Sequence, residues 1–163
     1  MFGELNWIDR VGEGNLTIMA RPAGGPDLSS STKQLASQQV DVVVSLLTMF
    51  EEVELGLEEE ASLCNSVGIE FVSFPIPDRG LPESAQTVQK LVELVSVRLT
   101  EGKSVAIHCR MGIGRSGMIA ACILAHQGLE VMKAFEAIGR ARGVEVPDTP
   151  EQRIWVERFA SNS

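Results

Sequence analysis

Residues 104 to 126 read SVAIHCRMGIGRSGMIAACILAH, and three textures follow one another within them. Ser104 to His108 is a short apolar, partly β-branched run with the composition of a strand. His108 to Gly117 holds three glycines, two arginines, a cysteine and a serine. From Gly117 to His126 the chain is apolar nearly all round, which reads as a buried helix beginning near Arg115. Strand, glycine turn and buried helix in that order make the unit from which α/β folds are assembled, so this stretch sets the class for the whole chain.

The same alternation extends outward. Apolar β-branched runs recur at Leu16 to Met19, Val40 to Leu47 and Ile69 to Ile76, with a weaker candidate at Leu5 to Ile8. The two longest are near-continuous rather than alternating, as in strands covered on both faces. Residues 82 to 101 place Val88, Leu91, Val92, Val95 and Leu99 on one helical stripe, with Pro82 near the start and Gly102 just past the end. Val131 to Arg142 and Pro150 to Phe159 read as two further helices, the last opening on a capping box of Thr149 and Gln152. Ser29 to Ser31, after ARPAGGPD, reads as a loop leading into a helix. The expectation is one α/β domain over residues 1–163, a sandwich with a central, largely parallel sheet of about five strands flanked by helices. In such folds ligands gather where strands end and helices begin.

Composition narrows the function. An apolar fraction of 44% with 22% charged residues, in 163 residues, is that of one soluble globular domain. No apolar run approaches a membrane span, and MFGELNWIDR lacks the parts of a secretion signal, so a cytoplasmic chain without a membrane anchor is expected. A net charge of −8 argues against broad nucleic-acid or anionic-membrane binding. Three cysteines do not suggest a disulfide framework. The two histidines, His108 and His126, stand far apart with no zinc-ligand spacing, so chemistry without a metal or cofactor is expected. A monomer is expected as well.

The loop 108–117 has a chemical logic of its own. Gly112 and Gly114 let the backbone curl, so that successive amides from Arg110 to Arg115, through Met111 and Ile113, can point inward around a phosphate-sized anion. The helix N-terminus adds free amides and partial positive charge. Arg115 supplies a planar fork for two phosphate oxygens. The same field acts on Cys109: a free thiol is only a few per cent ionised at neutral pH, but one beside arginine at a helix N-terminus titrates roughly 1 to 5 units lower. The order also departs from a nucleotide-binding loop, since no lysine follows the second glycine.

His108-Cys109-Arg110-Met111-Gly112-Ile113-Gly114-Arg115-Ser116 resembles the HCxxxxxR(S/T) signature of the cysteine-dependent protein tyrosine phosphatases, especially the small atypical dual-specificity branch. The resemblance runs from the early strands to the terminal PDTPEQ segment. It implies Cys109 as nucleophile, Arg115 and the amides of 110–114 as phosphate holders, Ser116 as a donor to the sulfur, and His108 as a residue orienting the loop from beneath. It also implies an upstream acid, and Asp78 in FPIPDRGLP stands thirty-one residues before Cys109, at the end of the preceding expected strand. PDRG taken alone is ordinary turn chemistry.

The implied substrate is a phosphorylated protein, at tyrosine and also at serine or threonine, since a chain without tyrosine cannot carry the usual tyrosine-bearing loop that deepens the pocket of large tyrosine-specific relatives. A phosphoinositide, nucleotide or RNA 5′-phosphate is the alternative substrate. A non-catalytic phosphate-binding adaptor is the alternative of another class. The acidic stretch FEEVELGLEEE, Phe50 to Glu60, reads as solvated surface or as a rim repelling acidic phosphopeptides. Cys64 and Cys122 fall in expected helices and read as core packing, with a resolving thiol as the other reading. Arg21 and the glycines of ARPAGG read as a border of the cleft or a plain loop.

Overall fold

Four strands end at one rim, and the register shows which residues share it. In a computed structural model, which describes residues 2–11 and 13–162, the sheet consists of β1 (Asn6–Val11), β2 (Gly14–Met19), β3 (Val42–Ser45), β4 (Glu70–Ser73) and β5 (Ser104–His108). The order across the sheet is β1-β2-β5-β3-β4. All pairs are parallel except β1 with β2. Met19 and Ser45 both lie opposite His108, and Ser45 lies opposite Ser73, so the carboxyl ends of four strands line up.

Among the described residues seven α-helices flank the sheet: α1 (Leu28–Ser37), α2 (Met49–Leu55), α3 (Glu60–Ser66), α4 (Ala85–Thr100), α5 (Gly114–His126), α6 (Val131–Arg142) and α7 (Pro150–Ser161). Alternation within the strands divides the core. Leu16, Ile18, Val42, Val44, Val105 and Ile107 pack with α4 to α7, whereas Met19, Val43 and Ala106 pack with Leu35 of α1 and Cys64 of α3. A large, mostly parallel sheet with both faces covered is the expected architecture.

Some boundaries differ from expectation, each for a local reason. The strand expected at Ile69–Ile76 keeps only Glu70–Ser73, because Pro75 and Pro77 have no amide to give the ladder; Ile76 still donates to the Leu46 carbonyl at 3.0 Å. This strand is also half-exposed rather than covered, since it forms the sheet edge. Ser29 to Ser31 lie within α1 rather than before it, and the Ser30 and Ser31 hydroxyls donate back to the Asp27 carbonyl at 2.9 and 3.0 Å, the back-bonding that short hydroxyl residues make in a first helical turn. The helix expected from residue 82 starts at Ala85, where the Ser84 hydroxyl accepts from the Thr87 amide. The capping box of Thr149 and Gln152 forms as expected.

Candidate functional site

The site is assembled at the rim where β5 passes into α5. Gly112 has φ +72°, and a Cβ there would stand 2.5 Å from the backbone of Met19, so the tight curl beside β2 requires glycine. A Cβ at Gly114 would run into the Asp148 carboxylate. The curl brings the Gly112 amide to 3.3 Å from the Cys109 sulfur, to which it donates. Three outer contacts brace the arrangement. The Arg21 amide donates to the Arg110 carbonyl at 3.2 Å, so ARPAGG borders the loop; Arg142 of α6 donates to the Met111 carbonyl at 3.0 Å; and Gln152 of α7 donates to the Gly80 carbonyl at 3.2 Å, in the loop that carries Asp78.

Cys109 is buried. Burial alone would push its thiol up, but the Ser116 hydroxyl and amide, the Arg115 charge and the Gly112 amide outweigh it and hold the thiol below its usual value. The Ser116 hydroxyl is itself buried and meets no partner in good hydrogen-bond geometry, so its influence on the sulfur is best read as that of a nearby dipole. The other two thiols shift the opposite way. Burial, with the Glu60 charge added, pushes Cys64 up to about 12, and burial also pushes Cys122 up, as befits packed structural thiols.

Arg115 is 2% exposed and its fork is in use. Its Nη1 and Nη2 donate to Glu51 Oε1 and Oε2 at 2.7 and 2.9 Å, a two-toothed pair. Nη1 also donates to the Ile76 carbonyl at 2.9 Å, and Nη2 to Asp78 Oδ1 at 3.1 Å. Asp78 sits in the turn that its sequence suggests, closed by the Gly80 amide donating to the Pro77 carbonyl at 2.8 Å, and its side chain is 59% exposed. The structure therefore brings Asp78 to Arg115, from strand ends separated in sequence.

Glu51 corrects the reading of the acidic stretch as free surface. Phe50 to Glu60 form most of α2 and the start of α3; Glu51 and Glu60 are buried against Arg115 and His108, while Glu54, Glu58 and Glu59 stay exposed. Thr48 and Glu51 close a capping box in which the Glu51 amide donates to the Thr48 hydroxyl and the Thr48 amide donates to Glu51 Oε1. Burial pushes the Glu51 carboxyl up, but the Arg115 hydrogen bonds and charge, with the Thr48 amide, bring it below the ordinary value. Glu54 accepts from Arg110 at 2.7 Å. Glu60 and His108 form a fully buried pair, Nε2 to Oε2 at 2.7 Å, while His108 Nδ1 faces the Cys109 carbonyl at 3.2 Å. The sequence carried one signal for this, the T-x-x-E spacing of Thr48 and Glu51, which marks a helix start.

A family profile described as "Polymorphic toxin system, DSP-PTPase phosphatase" matches residues 18–129. The chain belongs to this phosphatase family. Among curated relatives, cyclin-dependent kinase inhibitor 3 of Rattus norvegicus is 26% identical over 82% of the chain, which spans 63% of that protein. The putative tyrosine phosphatase 067L of invertebrate iridescent virus 3 is 31% identical over 79% of the chain and 58% of its own length. The chain thus spans about three fifths of these relatives. Among solved structures, kinase associated phosphatase with its catalytic-site cysteine replaced by serine superposes with a TM-score of 0.89 at 22% identity, covering 99% of this chain and 96% of that one. Tk-PTP in its active form gives 0.79 at 26% identity with full coverage of both, and PTPMT1 gives 0.76 at 20% with 96% and 94%. The dual-specificity phosphatase fold is thereby shared across the whole sheet and its helices.

Proposed function

We propose that this chain is a phosphomonoester hydrolase that works through a phosphocysteine, without metal, on phosphotyrosine and on phosphoserine or phosphothreonine in proteins. The observation that carries the reading is the sulfur of Cys109, whose thiol is held below its usual value by the Ser116 dipole, the Arg115 charge and the Gly112 amide, next to an arginine that reaches Asp78. A substrate phosphate entering the curl of amides 110–114 takes the place of Asp78 on Arg115 Nη2. The Cys109 thiolate then attacks phosphorus in line, the P–O bond to the leaving group breaks, and protonated Asp78 gives its proton to the departing oxygen. Hydrolysis reverses the roles. Ionised Asp78 takes a proton from water as its oxygen attacks phosphorus, the S–P bond breaks, and Ser116 stabilises the returning thiolate. Arg115 and the amides hold the equatorial oxygens through both steps.

A second substrate class is favoured by one observation. Met111 of the loop is exposed, as are Met49, Phe50 and Val53 of α2, which gives the site region apolar surface suited to a phosphoinositide in a lipid layer. A solved relative, PTPMT1, is known in complex with PI(5)P.

The test is phosphate release from an aryl phosphate in excess chelator, followed by phosphopeptides and phosphoinositides side by side. Hydrolysis should persist with chelator, vanish in Cys109→Ser, and fall by roughly 100-fold or more in Asp78→Asn with phosphate-mimic binding retained. Tight binding of phosphopeptides without turnover would instead favour an adaptor.

A further inference from the structure

Beneath the loop, on the side of the sheet that faces α3, lies a polar pair that the proposed reaction does not use. His108 and Glu60 are both buried, and both ring nitrogens of His108 face oxygens: Nε2 lies 2.7 Å from Glu60 Oε2 and Nδ1 lies 3.2 Å from the Cys109 carbonyl. A neutral imidazole has a single N–H, so against an ionised Glu60 it would leave a lone pair pressed on one of these oxygens. An imidazolium donates to both. It also neutralises a carboxylate that burial would otherwise leave uncompensated, with Glu60 Oε1 already lacking a hydrogen-bond partner among the described residues.

We propose that Glu60 is a positioning residue for Cys109: it keeps His108 doubly protonated, and the second N–H of that ring fixes the carbonyl of the nucleophile and sets a positive charge beside its sulfur. The proposal rests on the reading of Cys109 as nucleophile, and adds to it a residue on a helix that reaches no substrate. The charges around the pair are few. Glu52 of α2 feels both Glu60 and His108, with Glu58 further out; Cys64 of α3 feels Glu60; and Cys109 feels His108. Burial presses the His108 ring toward neutrality, but the Glu60 charge and hydrogen bond, with the Cys109 carbonyl, carry it above its usual value. The buried carboxylate thus acts on the sulfur through the ring between them.

Two measurements decide it. Only two histidines are present, so nitrogen-15 spectra of the imidazoles in the intact chain separate His108 from His126 without ambiguity. Both His108 nitrogens should carry protons at pH 7; a ring with either nitrogen unprotonated overturns the proposal whatever any variant does. The second is the pH dependence of iodoacetamide capture at Cys109, mapped by mass and followed alongside kcat/KM. In Glu60→Gln the acid limb of both profiles should move up by roughly 1 pH unit, with Glu60→Asp returning toward the parent. A Glu60→Gln profile superimposable on the parent overturns the proposal. Because alkylation needs no phosphate ester, a chain that captured the reagent as described but hydrolysed nothing would sink the phosphatase reading and leave the role of Glu60 standing.

Discussion

The two rims of one sheet carry ion pairs of similar chemistry in opposite surroundings. At the amino ends of the strands Arg98 donates to Glu70 at 2.7 Å and reaches Glu101 at 3.4 Å, with Lys103 near Glu101 at 3.3 Å. Those side chains are between 24% and 43% exposed, where water competes for every hydrogen bond and salt screens the rest. At the carboxyl ends, Arg110 with Glu54 is exposed in the same way, but Arg115 with Glu51 and His108 with Glu60 are all under 8% exposed. Taking such charges out of water costs more than their attraction returns unless the geometry is good, so the buried pairs are poor candidates for a stabilising role alone. In the proposed function they orient: one aims a guanidinium at the substrate phosphate, and the other holds the loop from below. The contrast separates charge used as surface from charge used as machinery.

The largest test of this contrast removes Glu51. Glu51→Ala leaves the Arg115 fork buried with only Ile76 and Asp78 as partners, so urea unfolding should show a loss of about 3–5 kcal/mol with an unchanged slope. Aryl phosphate turnover should fall in the same variant by more than any loss of folded protein explains. A stability close to the parent's would mean that the buried pair behaves like the exposed one.

A smaller effect should appear in the pH dependence of stability. The Glu51 carboxyl is held below its ordinary value of 4.5, so its contribution is present above that value and disappears as pH falls through the lower, folded value. The His108 ring is held above 6.5, so its contribution is complete below that value and is lost as pH rises through the folded one. Chemical unfolding across the acid and neutral range should therefore find the two pairs best satisfied between those limits, and stability that climbs steadily through neutrality would contradict the His108 half.

The smallest effect is expected at the other rim. Arg98→Ala should move the urea midpoint only slightly, and high salt should erase the difference, because screening has removed the interaction already. A large shift that survives salt would erase the distinction between the rims.

Sequence periodicity made the sheet and most helices legible, since apolar β-branched runs and the stripe Val88, Leu91, Val92, Val95 and Leu99 each need a buried face. It erred where polar residues decide. Ser29 to Ser31 suit loops and first helical turns alike, and only the return bonds to Asp27 show which they joined. The loop could be singled out because its motif is contiguous, and Asp78 because the family resemblance implies an acid at about that spacing; the structure brings that side chain to Arg115. Glu51 and Glu60 could not, although the spacing of Thr48 and Glu51 announces a helix. The bond from Arg115 to Glu51 joins residues 64 apart, and no local pattern tells a solvated glutamate from one that will meet a buried guanidinium.

The tethers from the last two helices bear on how this gene is cut. The family profile ends at residue 129, so a minimal fragment drawn to that limit would include every residue of the loop and the whole of α5. It would omit Arg142, which ties down the Met111 carbonyl, Asp148 against Gly114, and Gln152, which anchors the turn bearing Asp78. Such a truncation would carry the recognisable motif without its outer bracing, and silence from it in an assay would say little about the intact chain.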